Sequence, residues 1–309
     1  MSDEVQPVLL PALVPPTVLR TAIGSTNIAI LDATTFLHTT TEGVPYTATT
    51  GYEQFLDEHI PGAVFADVTG ELSDPDAEQL FTVPSPERFA RAAEALGVGD
   101  DTHVVVYDTV GSAWATRVWW LFRLFGHDAV SVLDGGLGAW KDADYPVESG
   151  EATPPEAEEE PVFTPELREH LLATKAEIAR SLPGADAPEG EAGATADVVV
   201  NALDPATYAG TPDLSPYSRR GRIPGSVNLP LFTLLDPETG RFLATKDLTA
   251  KLQEQGILDA QRAVTYCGGG IAATLPAFAA FVVAGVDVAV YDGSLSEWTA
   301  DEDLPVEVG

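Results

Sequence analysis

The chain of 309 residues has one cysteine, one methionine and four lysines, and it has no apolar run long enough to span a bilayer. A single cysteine forms no internal disulfide, so nothing in the sequence points to an oxidising compartment. The opening Met1-Ser2-Asp3-Glu4 is acidic and lacks the basic flank and apolar core of a signal peptide, and the protein reads as cytoplasmic. Five histidines (His38, His59, His103, His127, His170) are scattered and all precede residue 171, a pattern without the ligand spacing of a zinc site. No metal or cofactor is expected. Basic residues are scarce as well: 16 Lys and Arg face 48 Asp and Glu, giving a net charge of −32. Such a surface repels nucleic acid and anionic membranes, so neither is an expected partner. Depletion of lysine with an acidic excess is the balance of a protein adapted to concentrated salt, where screening shortens to a few ångströms and self-repulsion is tolerable.

What is present is a pattern of buried strands alternating with helical segments. Ile28–Asp32, His103–Asp108 and Ala129–Asp134 are apolar, β-branched runs with polar stops. The stretch from Asp32 to Tyr52, rich in Thr, Gly and Tyr, reads as a loop. Ser85-Pro86-Glu87 is a helix start, with a serine cap, a proline in the first turn and an acid at the positive end of the dipole. The composition shifts between Val147 and Pro165, where Glu and Pro leave almost nothing to bury, and this reads as a solvated linker. Gly184–Ala196 reads as a second loose insertion.

The second half repeats the first. His59-Ile60-Pro61-Gly62 returns as Arg222-Ile223-Pro224-Gly225 at an offset of 163 residues. Tyr107-Asp108 returns as Tyr266-Cys267 at 159, and Asp134-Gly135 with Trp140 as Asp292-Gly293 with Trp298 at 158. Matches in constant order at nearly constant offset indicate two copies of one α/β domain, each a mainly parallel sheet with helices on both faces. The boundaries read as residues 1–147, an acidic linker at 148–165, and 166–309. Only the second copy carries the cysteine; the first has Asp108 in its place. One domain is therefore expected to be catalytic and the other supporting, with a site between them.

Cys267 follows a buried strand and precedes Gly268-Gly269-Gly270 and a long apolar helix. Taken alone, a cysteine at a strand end is more often a small buried hydrophobe, and three glycines are only a flexible turn. Together they let the backbone curl with its N–H groups inward at a helix start, a nest that stabilises negative charge on sulfur. A Cys–His protease is disfavoured because no histidine is local to the thiol. Phosphate chemistry fails for want of a basic residue: the position that would carry a phosphate-holding arginine is Ala273. A persulfide in an uncharged cup, Gly268, Gly269, Gly270, Ile271 and Ala272, fits the residues, with sulfur passing from a small donor to a nucleophilic acceptor by double displacement.

These residues, with Arg117-Val118-Trp119-Trp120 and Phe125-Gly126-His127, resemble the two-domain rhodanese family of thiosulfate and 3-mercaptopyruvate sulfurtransferases. The resemblance implies two rhodanese-like domains, an inactive first domain with Asp for Cys, and a persulfide on the cysteine of the second. It implies a small sulfur donor and a thiol or cyanide acceptor, and leaves the oligomeric state open. The neutral loop is closer to the mercaptopyruvate type, but Gly269 lacks the serine hydroxyl of that loop. Asn201-Ala202-Leu203 likewise lacks the carboxylate-binding arginine of an Asp-Ala-Arg turn. Arg219, Arg220 and Arg222 are candidates to replace that arginine; their ordinary reading is a solvated cluster on an acidic surface. His59 matches a proton-relay histidine, against an ordinary reading as a turn residue. Arg117 and the tryptophans are assigned to packing. The competing reading is a non-catalytic sulfur carrier or binding module loaded by a partner protein.

The charge balance generates one prediction. Dialysis from molar potassium chloride into dilute buffer should lower the thermal midpoint by many degrees, followed by circular dichroism. An unchanged midpoint would refute adaptation to salt.

Overall fold

A computed structural model describes residues 9–40, 46–152, 160–182, 196–212 and 216–309. Residues 153–159 of the expected linker, and all of the expected insertion except Ala196, lie outside them. Two five-stranded sheets, parallel throughout, have the same strand order. The first runs Leu13–Val14, Val130–Leu133, His103–Tyr107, Ile28–Asp32, Ala63–Phe65. The second runs Leu172–Ala173, Ala289–Tyr291, Ala263–Tyr266, Val198–Asn201, Val227–Asn228. Strands covered on both faces need apolar residues at every position, and the central His103–Tyr107 and Ala263–Tyr266 are buried throughout. Register matches too: Asp32 pairs with Tyr107, and Asn201 with Tyr266. Asp108 and Cys267 therefore leave equivalent sheets at the same carboxyl edge. Among the described residues, no helix is long and apolar enough to cross a membrane.

The helix after each edge is the centre of the molecule. Ala113–Leu124 is buried at every position from Trp114 onward, and Thr274–Ala284 is buried from Thr274 to Ala280. A helix apolar on all sides must be covered on all sides. Each lies on its own sheet and packs against the other, with Trp119 edge-on to Phe278 at 4.9 Å and the Thr116 and Thr274 hydroxyls 2.9 Å apart. Side chains of both halves consequently merge into one continuous core.

Polar cross-links follow the same approximate two-fold relation. Asp292 accepts the Val83 N–H at 2.8 Å, and Asp134 accepts the Phe242 N–H at 2.9 Å, so each half's Asp-Gly turn holds a segment of the other. Arg117, assigned from sequence to packing, does more. It is fully buried, lies over Trp120, and bonds Asp292 at 2.6 Å, the Gly270 carbonyl at 3.2 Å and the Phe81 carbonyl.

Two expectations change. The stretch read as a loop contains an antiparallel hairpin, Thr35–Thr39 with Tyr46–Thr50. Its threonines are β-branched and favour strand, a preference that outweighed the loop-like composition. The segment read as a solvated linker is anchored at both ends. Glu148 bridges to His59, and Phe163 is buried against Phe89, Phe122 and His127. One aromatic residue in an acidic background was enough to bury its end.

Replacing Arg117 by Met should cost about 3–5 kcal/mol, because it leaves the Asp292 carboxylate without its counter-charge and two carbonyls without a donor. A fall of several degrees in the calorimetric midpoint is expected. An unchanged midpoint would show that the cross-link is not a stabilising one.

Candidate active site

Cys267 is buried at 2% exposure where its strand ends. The loop after it is fixed from outside. The Ser294 hydroxyl accepts the N–H groups of Cys267 and Gly270 at 3.0 and 3.2 Å and donates to the Tyr291 carbonyl. Leu295 and Ser296 donate their N–H groups to the Cys267 and Gly268 carbonyls, and the Ser296 hydroxyl also bonds Gly268. Arg117 takes the Gly270 carbonyl. Gly270 has φ +74, a left-handed conformation that suits glycine and turns the chain here.

The inner side of the loop is different. Among the described residues, the N–H groups of Gly268, Gly269, Ile271, Ala272 and Ala273 have no acceptor. Buried amides are almost always paired, and no group among the described residues pairs these. The first half shows what such a row does. There the Asp108 carboxylate accepts the N–H groups of Val110, Ser112, Trp114 and Ala115 at 2.8–3.0 Å. At the 159-residue offset, Val110, Ser112 and Trp114 correspond to Gly269, Ile271 and Ala273, three of the open donors. Burial still pushes the Asp108 carboxyl above its ordinary pKa, the four donors opposing it. In one copy the nest is filled by its own side chain; in the other it is open around a thiol.

Two tyrosines missed in the sequence close over this loop. A Cβ built on Gly268 would lie 2.0 Å from the Tyr217 hydroxyl, and one on Gly269 would lie 2.1 Å from the Tyr46 hydroxyl. Tyr46 comes from the first half's hairpin, where it stacks on Phe81 and lies 3.2 Å from the Ser296 hydroxyl. Burial pushes its pKa up to about 12, with Cys267 and Asp292 adding to the effect. Burial also raises Tyr217 well above the ordinary phenol value, assisted by Tyr46 and Cys267. Both stay protonated at neutral pH. No local motif marks them; only the bare Gly268 and Gly269 hinted that something else fills that space.

The other sequence candidates have different work. Arg219 gives its guanidinium to four carbonyls, those of Trp298, Thr299, Asp301 and Leu304, and so clamps the C-terminal segment. Arg222 bonds Glu307 and the Gly309 carbonyl and lies over Tyr208 at 4.6 Å. His59 donates from Nδ1 to the Phe55 carbonyl at 2.8 Å and stacks on that ring. His59 and Arg222 are twins. Ile60 and Ile223 donate N–H groups to the Tyr107 and Tyr266 hydroxyls, and Gly62 and Gly225 to Glu148 and Glu307. The same turn is built in the copy without a cysteine, and in both it ties the chain to a buried tyrosine hydroxyl and a glutamate. Arg220 is exposed, with no ion pair among the described residues. Arg219, Arg222 and His59 thus have their polar groups committed to partners other than Cys267, while Arg220 has none among the described residues.

The family model for the rhodanese-like domain matches residues 16–143 and 194–301. The chain is 34% identical over 260 residues to the 3-mercaptopyruvate sulfurtransferase of Escherichia coli (strain K12), covering 82% of this chain and 85% of that one. It is 36% identical over 248 residues to the thiosulfate sulfurtransferase of Gallus gallus, covering 80% of each. The crystal structure of SseA from Escherichia coli, which is described as a "Rhodanese" fold, superimposes with a TM-score of 0.73 at 28% identity. That match covers 92% of this chain and 98% of SseA. Two copies of one parallel-sheet domain, a matching family model over both and these relatives lead to one statement: the chain belongs to the rhodanese family, with two rhodanese-like domains in tandem.

Proposed function

We propose that the protein is a sulfurtransferase that moves sulfane sulfur from thiosulfate or 3-mercaptopyruvate to cyanide or a thiol through a persulfide on Cys267. The observation that carries this is the open row of N–H groups at Gly269, Ile271 and Ala273, whose twins hold a carboxylate in the first domain. An anionic outer sulfur is a fitting occupant, large and diffusely charged, and several weak donors share it without any cation. Similarity to relatives named for either donor supports sulfur transfer as the reaction class. Residues 166–309 form the catalytic domain and 1–147 the supporting one. The acidic surface and the lone cysteine support a cytoplasmic setting rich in salt.

The steps balance as two displacements. The Cys267 thiolate attacks the outer sulfur of thiosulfate or the thiol sulfur of 3-mercaptopyruvate, whose proton is released to solvent, and the bond from that sulfur to the rest of the donor breaks. Its electron pair leaves with sulfite, or with the enolate of pyruvate, which then takes a proton from solvent. The acceptor attacks the outer sulfur of Cys–S–S⁻, the S–S bond breaks, and the Cys267 thiolate returns.

In molar salt, transfer to cyanide should be measurable from at least one donor, and intact-mass analysis should show one added sulfur after donor treatment without acceptor. Cys267→Ser should remove both. Full activity in Cys267→Ser would refute the mechanism, and loading by a protein donor without turnover from either small donor would make the chain a carrier.

A further inference from the structure

The donor molecule must itself be held, and it is an anion. The guanidinium groups of Arg117, Arg219 and Arg222 are all engaged elsewhere, and Arg220 is exposed on the surface. What the site does present, beyond its backbone, is phenol. The Tyr217 hydroxyl lies against Gly268 and has no hydrogen-bond partner among the described residues. The residue is half-buried and its hydroxyl is committed to none of the described acceptors, so it can donate to a ligand that arrives beside Gly268. The Tyr46 hydroxyl lies against Gly269 on the neighbouring stretch of the loop. Because the Ser296 hydroxyl donates to the Gly268 carbonyl at 2.7 Å, Tyr46 is the donor in the 3.2 Å contact with Ser296. That contact is long for two hydroxyls, so the Tyr46 proton is weakly committed and free to turn to a ligand. Raised pKa values keep both groups in the donating form.

Resting on the sulfurtransferase reading, we propose that Tyr217, with Tyr46 beside it, seats the oxyanion or carboxylate of the small sulfur donor over Cys267 as a clamp of uncharged hydroxyls. One hydroxyl comes from each domain. Gly268 and Gly269 are bare because these hydroxyls occupy the space that side chains there would take.

Tyr217→Phe removes one oxygen and keeps the ring, so the fold should survive, as checked by an unchanged thermal midpoint. In steady-state transfer to cyanide in molar salt, KM for the small donor should rise about tenfold, the worth of a hydrogen bond to a charged group, with kcat within about twofold. Tyr46→Phe should raise KM less, since it also loses only a weak bond to Ser296. Gly268→Ala should raise KM as Tyr217→Phe does, because its methyl displaces the hydroxyl, and the double variant should be no worse than either alone. A second measurement does not depend on turnover. Cys267→Ser protein titrated with thiosulfate or 3-mercaptopyruvate in a calorimeter should bind about tenfold more weakly when Tyr217→Phe is added. Unchanged KM, and unchanged affinity in the Cys267→Ser background, would overturn the clamp while leaving persulfide chemistry intact. Absence of transfer by the wild type, with donor affinity still dependent on Tyr217, would instead overturn the reaction and leave the clamp.

Discussion

A buried amide N–H without an acceptor costs free energy, and the loop after Cys267 keeps a row of them open. Left to itself, a glycine-rich turn would relax until they were paired. It is prevented from doing so by what holds its outer side: the Ser294 hydroxyl, the N–H groups of Leu295 and Ser296, and the Arg117 guanidinium. The first domain meets the same constraint by inserting the Asp108 carboxylate. Asp108 thus sets a carboxylate among the equivalents of the donors that would share the charge of the persulfide proposed on Cys267.

The half without a thiol contributes directly to the loop that carries it. Arg117 crosses from it to brace the reactive loop, Tyr46 reaches over from its hairpin, and its helix covers the apolar surface of the helix behind Cys267. Each contribution is tied to a shared interior, so the support is as rigid as a core. Precision at a reacting sulfur depends on such bracing, since small misplacements of reacting groups cost large factors in rate.

The sequence was informative where causes are local. The parallel strands follow from unbroken apolar runs, the helix start at Ser85 from its cap and proline, and the domain pair from the recurring His59 and Arg222 turns. Cys267 stood out because it is alone and is followed by glycines. The rest depends on contacts between distant residues. Arg117 reaches a carboxylate 175 residues away, and Tyr46 lies 250 residues from Ser296. No spacing rule links such pairs. Arg219 and Arg222 drew attention for their charge, but their acceptors are carbonyls and a glutamate at the far end of the chain, which a count of charges does not reveal. The hairpin was hidden because threonine serves loops and strands alike.

The near two-fold relation between the halves bears on history as well as on shape. Two identical domains joined as a symmetric dimer would place the same residue at both loops: both would be thiols or both carboxylates, and each would have to brace its partner while serving as a site itself. Fusion into one chain lifts that symmetry. Here one copy gives its nest a permanent occupant in Asp108 and reaches across with a hairpin, while the other carries the thiol. Division of labour between template and tool is open to a covalent pair, and closed to a homodimer.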